Sequence, residues 1–101
     1  RPMSARSHPK ILIVDDTVRN IQVLEVILSD RFRINIAING LQALDVAEKG
    51  EPDLILLDVM IPELDGFKTC KRLKKNPDTR DIPVIFLTAR VDLDDVVREL
   101  S

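Results

Sequence analysis

The chain of 101 residues is long enough for one domain and too short for two. Apolar residues make up 45% and charged residues 32%, which excludes a disordered chain. A net charge of −2 and only 3% aromatics, with no Trp or Tyr, argue against a phosphate-backbone binder and against base stacking, so no direct nucleic-acid partner is expected.

Residues 1–9 read as a polar tail carrying His8, and residues 10–101 as the domain. Ile11-Leu12-Ile13-Val14 is a short unbroken apolar run, suited to a strand buried on both faces. Asp15, Asp16 and Thr17 follow as residues of cap type, and Val18, Ile21, Leu24, Ile27 and Leu28 then recur at helical spacing. Ile34, Ile36 and Ile38 alternate with Arg33, Asn35 and Ala37, predicting a strand with one wetter face. Asn39-Gly40 breaks that strand, and Leu41, Leu44 and Ala47 mark a second helix stopped by Gly50 and Pro52. Leu54 to Leu57 is a second wholly apolar run. Phe67, Cys70 and Leu73 form a helix stripe backed by Lys68, Lys71, Arg72, Lys74 and Lys75, which read as a solvated face. Asn76 to Asp81 reads as a surface loop, Pro83 to Leu87 as a fourth strand, and Leu93, Val96, Val97 and Leu100 as the start of a fourth helix.

No apolar run approaches the roughly 18 residues of a membrane helix, and the polar N-terminal segment is no signal peptide. Cys70 is the single cysteine, which excludes an intrachain disulfide and a cysteine-rich zinc site. A cytoplasmic setting fits.

The β-α alternation, with strands apolar on both faces, implies a doubly wound parallel α/β sheet. In such sheets function gathers at the carboxyl ends of the strands. There the chain places Asp15 and Asp16 after the first strand, Asp58 after the third and Thr88 after the fourth. Converging carboxylates must stay partly protonated or hold a cation. An all-oxygen donor set favours Mg²⁺, with Mn²⁺ or Ca²⁺ as alternatives, over softer metals. A carboxylate so neutralised can attack a phosphoryl group and form an acyl phosphate. Asp15 or Asp16 taken singly reads equally well as a helix cap. Asp58 does not, because Val59, Met60, Ile61 and Pro62 intervene before any helix.

Three stretches, Ile11 to Asp16, Leu56 to Gly66 and Ile82 to Ala89, closely resemble the receiver domain of two-component response regulators. The resemblance runs from about Lys10 to Ser101. It implies a flavodoxin-like sheet of order 2-1-3-4-5, a phosphoryl group accepted on Asp58, and a sensor histidine kinase or phosphotransfer protein as donor. It further implies Mg²⁺ held directly by Asp16 and Asp58 and by the Met60 carbonyl, with Asp15 acting largely through water. Thr88 would bond the phosphoryl group, while Met60 and Arg90 would tune its lifetime.

The departure from the family pattern is at the end. No Lys follows Thr88, and a fifth strand and helix are not expected within this sequence. The expected order is therefore 2-1-3-4, in a domain incomplete at its C-terminus, with self-association through the edge of the fourth strand. The alternative is a receiver-like scaffold with impaired signalling. A phosphohydrolase using an aspartyl nucleophile would need a second acid two residues beyond it, where Met60 stands. A flavin or nucleotide module would need a phosphate cradle where Asp15-Asp16 stands.

Overall fold

A computed structural model of the chain describes residues 8–59, 61 and 64–87. These form β1 (Lys10–Val14), α1 (Val18–Leu28), β2 (Arg33–Ala37), α2 (Gly40–Gly50), β3 (Leu54–Asp58), α3 (Gly66–Lys75) and β4 (Val84–Leu87). All strand pairs are parallel and the order is β2-β1-β3-β4, as the sequence implied. The expected fourth helix lies outside the described residues.

Alternate side chains of the central strands enter two separate cores. Leu12, Val14, Ile55 and Leu57 meet Ala43 and Ala47 of α2 and Leu73 of α3 on one face. Ile11, Ile13 and Leu56 meet Ile21 of α1 on the other, with Leu24 and Leu28 packed alongside. The apolar runs of β1 and β3 are continuous because helices cover both sides of them.

β2 departs from expectation. Ala37, assigned to the wetter face of β2, is wholly buried, while Ile36 and Ile38 are 38% and 49% exposed. In β4, Ile85 is 49% and Phe86 38% exposed, so this strand is not buried on both faces. Strands lie about 4.8 Å apart and a helix with its side chains is about 10 Å across. Among the described residues α1 alone covers its face, which is enough for the middle of a four-stranded sheet but not its flanks. Ile36 and Ile85 stand on those flanks, the second in register with Leu56 of the α1-side core. On α1 itself Val18 and Ile27, read as core, are 64% and 65% exposed, because Ile21, Leu24 and Leu28 take the sheet-facing side.

The helix ends use more specific devices than the sequence showed. Asn39 caps α2, its Oδ1 accepting from the Gln42 amide at 2.8 Å. The turn after α2 is made by Glu51 in the left-handed region, φ 49°, and not by Gly50. Gly50 is there for closeness: a Cβ on it would stand 3.1 Å from Asn35 Oδ1. The loop after α3 is pinned from inside, with Thr79 buried and its hydroxyl donating to the Leu73 carbonyl at 2.7 Å. Lys74 ties the same loop down by donating to the carbonyls of Arg80 and Ile82. Cys70 packs at the margin of the α2–α3 core, where burial pushes its thiol pKa up against the opposing effect of Lys74. His8, exposed, and Pro9 accept bonds from Arg33 through their carbonyls.

Burial predicts how truncations rank. Ile55→Ala, at a fully buried position, should cost about 2–5 kcal/mol. Ile85→Ala should cost under about 1 kcal/mol, because the half-exposed side chain has less apolar area to lose. Urea unfolding of the two variants, compared at constant slope, checks the ranking.

Candidate functional site

β1 and β3 end side by side, Val14 in register with Leu57, so the residues that follow them leave the sheet together. The Asp15 amide donates to the Ala37 carbonyl at 3.1 Å, extending the β1–β2 ladder one step past β1. Asp15 is buried, 5% exposed. Its Oδ1 accepts from the Thr17 amide at 2.9 Å and its Oδ2 from the Asn20 side-chain amide at 3.2 Å. Asp16 is exposed and its Oδ1 accepts from the Thr17 hydroxyl at 3.5 Å. Asp58 closes β3, 9% exposed, in register with Leu87.

One carboxylate oxygen from each of Asp15, Asp16 and Asp58 lies within 4.8 Å of the others. The capping alternative for the first two acids does not hold. Thr17 is the N-cap residue of α1, and Asp15 bonds the backbone of Thr17 itself, one step before the helix. At an effective dielectric of about 20, two like charges this close repel by on the order of 3 kcal/mol. The N-terminus of α1 begins two residues after Asp16, and its partial positive charge offsets about 0.3–1 kcal/mol of that. The donor set is all carboxylate oxygen, compact and partly open to solvent. It suits a small hard dication that keeps some of its water, as Mg²⁺ does.

Met60, Thr88 and Arg90 lie outside the described residues. The way out of β3 is nonetheless constrained. The Gly66 amide donates to the Val59 carbonyl at 3.0 Å, and Asp65 caps α3 by accepting from the Lys68 amide at 2.9 Å. Asp65-Gly66 is thus a helix-entry device. The added finding is contact: a Cβ on Gly66 would stand 2.5 Å from Val59 Cα and 2.6 Å from the Asp58 carbonyl oxygen. α3 therefore starts flush against the backbone of Asp58 and Val59. The cue in the sequence was a glycine directly after a capping aspartate. The contact itself could not be read there.

A family model for the response regulator receiver domain matches residues 11–101. The chain belongs to this family. It is 47% identical over 88 residues to the response regulator PleD of Caulobacter vibrioides, across 86% of this chain and 18% of that protein. It is 40% identical over 93 residues to a probable cyclic di-GMP phosphodiesterase of Vibrio cholerae, across 92% of this chain and 21% of that protein. The chain thus spans about a fifth of the length of these relatives.

The receiver domain of the sensor histidine kinase PA1611 from Pseudomonas aeruginosa, a crystal structure with magnesium coordinated in its active-site cleft, is similar with a TM-score of 0.80 at 32% identity, over 90% of this chain and 75% of that one. The N-terminal domain of a response regulator receiver protein from Methanoculleus marisnigri gives 0.79 at 37% identity, over 89% and 74%. Receiver domains are regulatory modules of two-component signalling. No helix among the described residues is long and apolar enough to cross a membrane.

Because the two atoms facing Gly66 are backbone, Gly66→Ala must displace the segment that carries Asp58. The expected cost is about 1–3 kcal/mol, with amide chemical-shift changes centred on Asp58 and Val59. A variant whose spectrum changes only within α3 would show that the helix, not the strand end, yields.

Proposed function

We propose that the chain is the phosphoacceptor of a two-component relay, taking a phosphoryl group on Asp58 from a phosphohistidine of a sensor histidine kinase or phosphotransfer protein, with Mg²⁺ held by Asp15, Asp16 and Asp58. The observation that carries this reading is the meeting of the three carboxylates at the carboxyl edge of the sheet, with Asp58 at the end of the buried strand β3. In the transfer, a carboxylate oxygen of Asp58 bonds to phosphorus as the bond from phosphorus to the histidine nitrogen breaks. The electron pair returns to the imidazole and the product is an acyl phosphate. The metal's contribution is to neutralise charge on the phosphoryl oxygens.

Asp15 is bonded through both oxygens and more deeply set than Asp16, which fits a role through metal-bound water, with Asp16 and Asp58 as direct ligands. The Met60 carbonyl and the Thr88 hydroxyl complete the proposal, the first on the metal and the second on the phosphoryl group. Mn²⁺ should substitute for Mg²⁺, because the donors are the same hard oxygens.

A protein donor must reach the carboxyl edge, where α1 begins. Val18, Val23 and Val26 on this helix are 64%, 52% and 77% exposed, apolar positions on its solvent side, set among Arg19 and Gln22, that a partner would cover.

Asp58→Asn keeps the shape and removes the nucleophilic charge. After treatment with a small acyl phosphate and Mg²⁺, intact-mass analysis should find a phosphoryl adduct in the parent and none in the variant. An adduct on the variant would reject Asp58 as acceptor. Val26→Glu separates docking from chemistry. Transfer from a phosphohistidine protein should slow by about tenfold, equivalent to roughly 1.4 kcal/mol of contact energy, while labelling by the small donor stays at the parent rate. Equal rates from both donors would place the docking surface elsewhere.

A further inference from the structure

We propose that Asn20 is a positioning residue for the metal, its side-chain amide fixing the orientation of the Asp15 carboxylate. The inference rests on the metal reading above. Asp15 is held at two points that belong to different elements. Its Oδ1 accepts from the Thr17 backbone amide in the turn after β1, and its Oδ2 accepts from Asn20 Nδ2 within the first turn of α1. A carboxylate bonded through one oxygen can rotate about its last torsion. One bonded through both cannot rotate without breaking a bond. Asn20 is half-buried at this contact, so the bond is partly shielded from competition by water.

The chemistry of the donor matters as much as its place. Asp15 lies in a cluster of three carboxylates, whose charge the proposed cation would neutralise. A lysine or arginine at position 20 could make the same hydrogen bond, but its positive charge would compete with the metal. An aspartate would add a fourth negative charge and offer no proton to donate. A side-chain amide donates a hydrogen bond without changing the charge of the site. Partners that orient a metal's ligands typically matter by about 10–100-fold in affinity. Because Asp15 is expected to act through water and the amide is uncharged, the low end of that range is the expectation.

The experiment measures Mg²⁺ affinity of the whole chain by calorimetry, with amide chemical shifts as a second reading. It compares the parent, Asp16→Ala, and three variants at position 20. Asn20→Leu keeps the branched shape and loses the donor, Asn20→Ala loses both, and Asn20→Gln keeps the donor. Leu and Ala should each weaken Mg²⁺ binding by about tenfold, while Gln stays within about twofold of the parent. Circular dichroism without metal should be the same for all. Equal affinity in parent, Leu and Ala would overturn the role of Asn20 while leaving the metal site standing, provided Asp16→Ala abolishes binding. Equal losses in Leu, Ala and Gln would assign the effect to packing and also overturn it. A parent that binds no Mg²⁺, or an Asp16→Ala variant that binds as the parent does, would overturn the metal reading and this inference with it.

Discussion

β1 is paired in parallel on both sides, with β2 through Val14↔Ala37 and with β3 through Val14↔Leu57. That double register determines which residues can meet. It brings Asp15 and Asp58 out of the sheet at one level, and it sends Leu12 and Val14 to the α2–α3 core while Ile11 and Ile13 go to the α1 core. A slip of one residue would exchange the two faces along the whole strand. It would also draw one acid back into the ladder, where its charge would lose solvent without gaining a partner. The hydrophobic sorting and the placing of the acids are therefore one constraint: the pairing that buries the most apolar surface also aligns the carboxylates.

The alignment has an energetic cost that the fold carries locally. Two largely buried acids and one exposed acid share a small volume, and repulsion on the order of 3 kcal/mol per close pair is a large fraction of a small domain's net stability. The surrounding structure offsets part of it with uncharged donors: the Thr17 amide and hydroxyl, the Asn20 amide and the start of α1. On the metal reading proposed above, a bound dication would neutralise charge in this cluster and by mass action return stability.

What the sequence disclosed follows from how local each determinant is. β1 and β3 were legible because a strand covered on both faces needs an unbroken apolar run, although β4 carries a run of equal length, Val84 to Leu87, and stays part-exposed. The acids were legible because the residue after such a run must sit at the sheet edge. The flanks were not. Whether Ile36, Ala37 or Ile85 is covered depends on how far a helix from elsewhere in the chain reaches across the sheet, and periodicity within the strand carries no information about that. The stripe on α1 was misread for the same reason: Val18 and Ile27 keep helical spacing with Ile21, Leu24 and Leu28, but only the last three face the sheet. Asn20 escaped notice because an asparagine in the first turn of a helix is ordinary, and its bond to Asp15 depends on the turn angle between β1 and α1. Glu51 escaped notice because glycine is the usual left-handed residue at a helix end, and Gly50 stood next to it.

α1 joins three tasks that the sequence spreads over eleven residues. Ile21, Leu24 and Leu28 hold it to the sheet. Asn20, near its start, holds an acid of the site. Val18, Val23 and Val26 are left to solvent. A helix presents these sets in different directions, so each can be altered with little disturbance of the others. They are nonetheless coupled through the rigid body of the helix. A partner pressing on the outer face could disturb the site only by shifting the whole helix over the core, its first turn and Asn20 included. Since close-packed cores resist small displacements, such a partner would meet the site in the geometry it already has. On the reading proposed above, that would leave Asp15, Asp16 and Asp58 in place for a phosphoryl donor.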